Sequence, residues 1–180
     1  EKTLAVFPRG VDLVIQKLIP WPHEAGLFYI RHPDSPQGHI SSLTYKDIPV
    51  ITGNGRDTVL ELLRKDSRAA RLPDLYEKRL QERLHTVLPE GEKLELLFTG
   101  NHCKGAIFRK GGKDITPELT ARIDAIMKDI PDFHFGRIDV KFRSREALRA
   151  GQDFEIIEIN GVGSEATHIW DSTTTLKEAY

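Results

Sequence analysis

The chain has 180 residues, 39% of them apolar and 29% charged, which is enough for one domain with a substantial core. Its formal net charge of −1 gives no electrostatic footprint for nucleic acid or an anionic membrane surface, and no apolar run is long enough to cross a bilayer. The single cysteine, Cys103, excludes an internal disulfide and fits a reducing, cytoplasmic compartment, and no secretory signal pattern opens the chain.

Residues 3–7 (TLAVF) and 12–19 (DLVIQKLI) are expected as strands, broken by Pro8, Arg9 and Gly10. The rigid turn PWPH follows. AGLFYIRH (25–32) is a further strand. The turn-rich stretch Pro33 to Gly38 returns it as HISSLTYKDIPVIT (39–52), interrupted by Pro49, so a hairpin is expected. Asn54-Gly55 marks a tight turn. Thr58 with Glu61 predicts a capping box opening a helix whose apolar side is Val59, Leu60, Leu62 and Leu63. In residues 73–88, Tyr76, Leu80, Leu84, Val87 and Leu88 recur at helical spacing, which predicts a long amphipathic helix with a solvated charged face. Pro89, Glu90 and Gly91 end it, and KLELLF (93–98) reads as a strand.

TGNHCKGAIFRKGG (99–112) is polar and flexible and reads as a loop. His102, Cys103 and Lys104 stand side by side there, and neighbouring cations can lower a thiol pKa. Adjacent residues do not point at one another, however, and no third group orients them. Zinc is not expected from one cysteine and scattered histidines. Thr116, with Pro117 at the first helical position, predicts a helix. Leu119, Ile123, Ile126, Met127 and Ile130 would cover the sheet, and Pro131 stops it. FGRIDVKF and DFEIIEIN are then two strands joined by a small helix and turn, and a short helix is expected from about Thr174. The whole reads as one α+β domain over 1–180, a mainly antiparallel sheet flanked by helices, with no repeats or linker-like breaks.

The last two strands carry the chemistry. Side chains alternate along a strand, so Arg137 and Asp139 share one face of the first, and Glu158 and Asn160 one face of the second. Paired in register, they present a guanidinium, two carboxylates and an amide. Such oxygen ligands suit Mg²⁺ held together with substrate phosphates, and an arginine beside it suits a phosphoryl group in transfer. A solvated face with ordinary salt bridges is the alternative. The second strand runs into Gly161, Val162, Gly163 and Ser164, and a Gly-x-Gly turn lets backbone approach a ligand closely.

R-I-D (137–139), followed one connector later by E-I-N-G-x-G-S (158–164), resembles the C-terminal part of an ATP-grasp domain. That is the fold of D-alanine–D-alanine ligase, glutathione synthetase and other carboxylate–amine ligases. The longer string EINGVGSEATHIWD is more similar to a less characterised branch of that superfamily. The resemblance implies ATP-dependent joining of a carboxylate to an amine through an acyl phosphate, with ATP and Mg²⁺ (or Mn²⁺) required. It implies that Asp139, Glu158 and Asn160 hold the metal and Arg137 contacts the reacting phosphates. It puts the adenine-binding hinge at Gln16, Lys17, Leu18 and Ile19, a ribose contact at Glu24 and a phosphate contact at Lys46. Asn101, His102 and Lys104 would line the acceptor or phosphate side, with Gly161, Gly163 and Ser164 facing the acyl intermediate or acceptor. The family form expected at 103 and 104 has Ser and Arg, where this chain has Cys103 and Lys104. His168 reads as a substrate contact or a structural histidine.

The string ITGNGRDTVLELL resembles a T-G-D-G-x-x-T segment of the same ligases. It lacks the lysine and glycine spacing of a phosphate-binding loop. No methionine opens the chain, and no phosphate-binding lysine and Gly-rich flap of a first ATP-grasp subdomain are found. The expectation is therefore a C-terminal subdomain partnered by a missing N-terminal half of the same protein. Alone it would bind ATP weakly and turn nothing over, and it would be able to form a homodimer through the surface that half covers. A nucleotide-binding or regulatory module without catalysis, or an interaction domain with a salt-bridged face, are the alternatives.

Overall fold

The computed structural model describes residues 7–179. Strands β1 (His23–Ile30), β2 (His39–Asp47), β5 (Ile107–Lys110), β6 (Phe135–Phe142) and β7 (Phe154–Asn160) form one sheet in the order β5-β2-β1-β6-β7. Every pairing in it is antiparallel. Strands β3 (Val50–Thr52) and β4 (Lys93–Glu95) form a separate pair. The helices are α1 (Val59–Lys65), α2 (Pro73–Arg79), α3 (Pro117–Lys128), α4 (Arg145–Arg149) and α5 (Leu176–Ala179). The fold is thus α+β, as the sequence predicts. No helix among the described residues is long and apolar enough to cross a membrane.

Period-two alternation sorts the sheet into two unlike faces. Ala25, Leu27 and Tyr29 of β1, Leu43 and Tyr45 of β2, and Ile138, Val140 and Phe142 of β6 point one way. Leu119, Ile123 and Met127 of α3 and Leu148 of α4 cover them. Each buried leucine, isoleucine, valine, phenylalanine or methionine among them contributes about 1.5–3 kcal/mol of burial. The helix α3 starts as expected, with the Thr116 hydroxyl accepting from the Leu119 N–H at 3.1 Å and Pro117 in its first turn. One buried carboxylate fastens it to the sheet: Asp124 accepts from the Tyr29 hydroxyl at 2.7 Å and the Gly38 N–H at 2.8 Å. A second core gathers Ile51, Val59, Leu63, Tyr76, Leu88 and Leu96 around α1, α2 and the small sheet.

Several expectations need correction. The stretch 12–19 is not a strand, and residues 11–20 hold no regular structure. Its β-branched residues supply propensity, but among the described residues no strand supplies a ladder, and Val14 and Ile15 are 87% and 81% exposed. Of the expected strand 3–7, residues 3–6 lie outside the described residues. Pro49 splits 39–52 into β2 and β3, which belong to different sheets. The long helix over 73–88 stops at Arg79. The carbonyls of Leu84 and Thr86 accept instead from the Leu60 and Val59 N–H groups, at 3.0 and 2.9 Å. These are first-turn donors of α1 that have no partner within their own helix. The strand at 93–98 covers only Lys93–Glu95, and the loop read at 99–112 contains the edge strand β5. The capping box of Thr58 and Glu61 is as expected, and Asp139 lies opposite Glu158 and Arg137 opposite Asn160. That matching depends on an unpredicted register shift between Asp139 and Val140, which skips Ile157. The final helix begins at Leu176.

Candidate functional site

The second face of the sheet is polar. Glu24 and Gly26 of β1, Ser42, Thr44 and Lys46 of β2, and Arg137, Asp139 and Lys141 of β6 alternate with the core positions, and Glu158 of β7 joins them beyond the register shift opposite Asp139 and Val140. A cleft of about 690 Å³ lies over the part of this face that includes Glu24, Lys46, Asp139 and Glu158. Gln16, Lys17, Leu18 and Ile19 line one wall, and Asn101 and His102 another, while Arg137 also faces it. Residues from six separate stretches, singled out in the sequence, thereby meet at one place. Another hollow, of about 560 Å³, lies between α3 and the edge strand β7, and none of those residues lines it.

At the centre is a buried group of charges. The Lys46 ammonium lies 3.0 Å from Glu24 Oε1 and 2.9 Å from Asp139 Oδ1. Arg137 Nε donates to the same Asp139 oxygen at 3.2 Å. Glu24 Oε2 accepts the Gly100 N–H at 3.1 Å, which fastens the 99–104 loop to the sheet. Asp139, Glu24 and Lys46 are 3%, 7% and 8% exposed, so these contacts are poorly screened. Both oxygens of Glu24 are engaged within the protein, and any contact to a ribose has to share or replace one of them.

The Asn160 amide nitrogen is 3.5 Å from Asp139 Oδ2. Among the described residues no group of three or more His, Cys, Asp and Glu side chains is placed to hold a metal. The donors present are Asp139 Oδ2, the exposed Glu158 carboxylate and the Asn160 amide, which presents its oxygen on turning over. Two carboxylates and an amide are too few for an all-protein cage, but they fit Mg²⁺, which keeps waters and takes its remaining ligands from phosphate.

Other predicted site residues are placed differently. Lys104 is exposed and outside the cleft lining, and its carbonyl accepts the Tyr76 hydroxyl at 2.9 Å. Gly161 and Gly163 are exposed and away from the lining, and neither glycine is required sterically, since a Cβ at each would meet nothing within 4 Å. The Ser164 hydroxyl accepts the Arg137 N–H at 3.1 Å and donates to the Gly161 carbonyl at 2.7 Å, which locks the turn after β7 onto β6. His168 Nε2 lies 2.9 Å from the Glu178 carbonyl, a structural contact that holds the C-terminal segment. Cys103 is exposed and lines the cleft.

Sequence reasoning missed Gly26, Gly100, Phe98, Lys141, Thr167 and Trp170. Gly26 is the floor beside the charges, where a Cβ would come within 3.1 Å of Asp139 Oδ1 and 3.2 Å of Arg137 Cδ. A glycine inside a strand pattern was the signal available for it. Thr167 and Trp170 belong to the 3₁₀ turn Thr167–Trp170, and nothing local marks that turn as part of a site.

No known protein family matches the chain, and no curated protein does. Among solved structures it is similar to the crystal structure of a bifunctional glutathione synthetase from Pasteurella multocida, at 13% identity and a TM-score of 0.49. The alignment covers 83% of this chain and 21% of that one, so the chain spans about a fifth of that protein's length.

Proposed function

We propose that this chain is the metal- and nucleotide-binding lobe of an ATP-grasp enzyme that joins a carboxylate to an amine. The observation that carries the reading is the convergence of Gln16 to Ile19, Glu24, Lys46, Asn101, His102, Arg137, Asp139 and Glu158 on one cleft. Leu18, Ile19 and Phe98 give it an apolar end for a base, and the charged centre suits a triphosphate.

In this reading the substrate carboxylate attacks the γ-phosphorus of ATP, the bond to ADP breaks, and an acyl phosphate forms. The amine then attacks the acyl carbon, phosphate leaves, and the nitrogen gives up a proton. Arg137 is held by Asp139 through Nε, which leaves Nη2 free to neutralise charge on the transferring group. Asp139, Glu158 and Asn160 would hold Mg²⁺, whose chemistry when bound is to neutralise charge on the phosphates. The rest of such an enzyme, an N-terminal half that closes over the nucleotide, belongs to the same proposal, as do its cytoplasmic location and its small-molecule substrates.

Equilibrium dialysis with labelled ATP, with and without Mg²⁺, tests this on the wild type, Asp139→Asn and Glu158→Gln. Metal-dependent binding lost in both variants is the expected result. Binding that ignores the metal and both substitutions refutes the reading.

A further inference from the structure

Lys46 is the one cation among the described residues that is more than nine-tenths buried. Its ammonium is shared between Glu24 and Asp139, at 3.0 and 2.9 Å. Gly100 packs directly over it, so closely that a Cβ there would lie 2.6 Å from Lys46 Cβ and 2.8 Å from Cδ. The side chain is therefore fixed with its charge on the carboxylate that the proposed function gives to the metal.

This placement opposes a free cation. A dication entering alone meets a fixed like charge on Asp139 Oδ1, with Arg137 on the same oxygen. The lining as a whole gives no net attraction. Lys17, Lys46, Arg137 and Lys141 balance Glu24, Asp139, Glu158 and Glu165. A cation carried on a polyphosphate meets a different site, because phosphate oxygens face the ammonium and the guanidinium and turn repulsion into attraction.

We infer that Lys46 is the residue that makes the cleft select a divalent cation already bound to a polyphosphate and reject the free ion. This rests on the reading of the cleft as a metal–nucleotide site, and Lys46 acts in it as a positioning and discriminating residue rather than as a metal ligand.

The test is Mn²⁺ binding followed by electron paramagnetic resonance, with no turnover required. Wild type should leave Mn²⁺ free when no nucleotide is present and bind the Mn²⁺–ATP complex. Lys46→Met leaves Glu24 and Asp139 without their shared cation, and should bind Mn²⁺ alone at least about tenfold more tightly than wild type. Lys46→Gln removes the charge but keeps a polar side chain and should act in the same direction, so the test survives if the methionine variant fails to fold. Lys46→Arg keeps the charge and should still reject the free ion. Wild type that binds free Mn²⁺ as tightly as Lys46→Gln overturns the inference, as does a folded Lys46→Gln protein that gains no Mn²⁺ binding. If wild type binds neither Mn²⁺ nor its ATP complex while Lys46→Gln gains Mn²⁺, exclusion of the free ion by Lys46 stands and the nucleotide reading falls.

Discussion

Gly100→Ala is the sharpest test of how the cleft is closed. The added methyl would meet Lys46 Cβ at 2.6 Å, Lys46 Cδ at 2.8 Å and Glu24 Oε1 at 3.1 Å. The first contact is with the root of a side chain on a central strand, which cannot step aside as a flexible tip would. The loop must move instead, and the Gly100 N–H then leaves Glu24 Oε2. Overpacking of this kind costs about 1–3 kcal/mol, and a lost hydrogen bond to a buried charge about 1.5–3 kcal/mol. One loop movement relieves the first by incurring the second, so the two do not add, and about 2–3 kcal/mol is expected. With an m-value of about 2 kcal/mol/M, the urea midpoint read by far-ultraviolet circular dichroism falls by about 1 M or more. Gly112→Ala and Gly163→Ala are internal controls. A Cβ at either meets nothing within 4 Å, and neither is in the left-handed region, so both should stay within about 0.5 kcal/mol of wild type. A Gly100→Ala midpoint indistinguishable from those controls would mean that the 99–104 loop does not seat on Glu24 and Lys46.

Three further outcomes follow from the same contacts. Burial, and then the Asp124 carboxylate that accepts its proton, push the Tyr29 hydroxyl up to about 12. A raised pKa gives stability that is complete below pH 10 and lost as pH rises through about 12. Tyr29→Phe should therefore flatten the alkaline end of a stability–pH profile, and an unchanged profile would show that the hydroxyl is not confined. Burial alone would raise the Asp124 carboxyl, but Lys128, the Tyr29 hydroxyl and the Gly38 N–H together hold it below its ordinary value. Asp124→Asn should then cost about 1–3 kcal/mol at neutral pH. That deficit should shrink as the pH falls through the depressed carboxyl pKa, and a deficit equal at pH 7 and pH 2 in thermal melts would contradict the ion pairing. Cys103 is exposed on the cleft lining, so one equivalent of thiol should react with a disulfide reagent in the native protein. ATP with Mg²⁺ should slow that reaction, and an unaffected rate would place nucleotide elsewhere.

What the sequence disclosed about the fold was whatever a short window decides. Alternation in FGRIDVKF fixes which residues face the core and puts Arg137 and Asp139 together on the other surface, and the same spacing keeps Glu158 and Asn160 together. A register shift opposite Asp139 and Val140, which skips Ile157, then carries Glu158 and Asn160 from the face of Phe154 and Ile156 to that surface, and the alternation does not announce it. Thr58 and Thr116 announce helix starts because a cap is a contact over three residues. The failures lie where a distant partner outbids local pattern. Leu80, Leu84 and Val87 repeat at helical spacing, but the carbonyls of Leu84 and Thr86 are taken by the start of α1, some 25 residues earlier in the chain. Val14 and Ile15 have the composition of a strand, and no strand among the described residues pairs with them.

The site obeys the same division. Residue types named the candidates, and the sheet assembled most of them, but the contacts that define their chemistry join elements that no window spans. Glu24, Lys46 and Asp139 come from three strands and reach one point only because β1 pairs with both β2 and β6. Read singly, Lys46 is a strand lysine with phosphate in reach, and Glu24 is a carboxylate beside a hinge. Joined and buried, each already holds the other, so any ligand has to compete with the protein's own ion pairs. Gly26 and Gly100 matter for the reason that hides them in a sequence: each is needed for a side chain it lacks, which leaves room for Asp139 and Arg137 on one side and Lys46 on the other. A pattern search for charged residues finds the groups that bind. It passes over the two glycines whose missing side chains let those groups come close enough to work together.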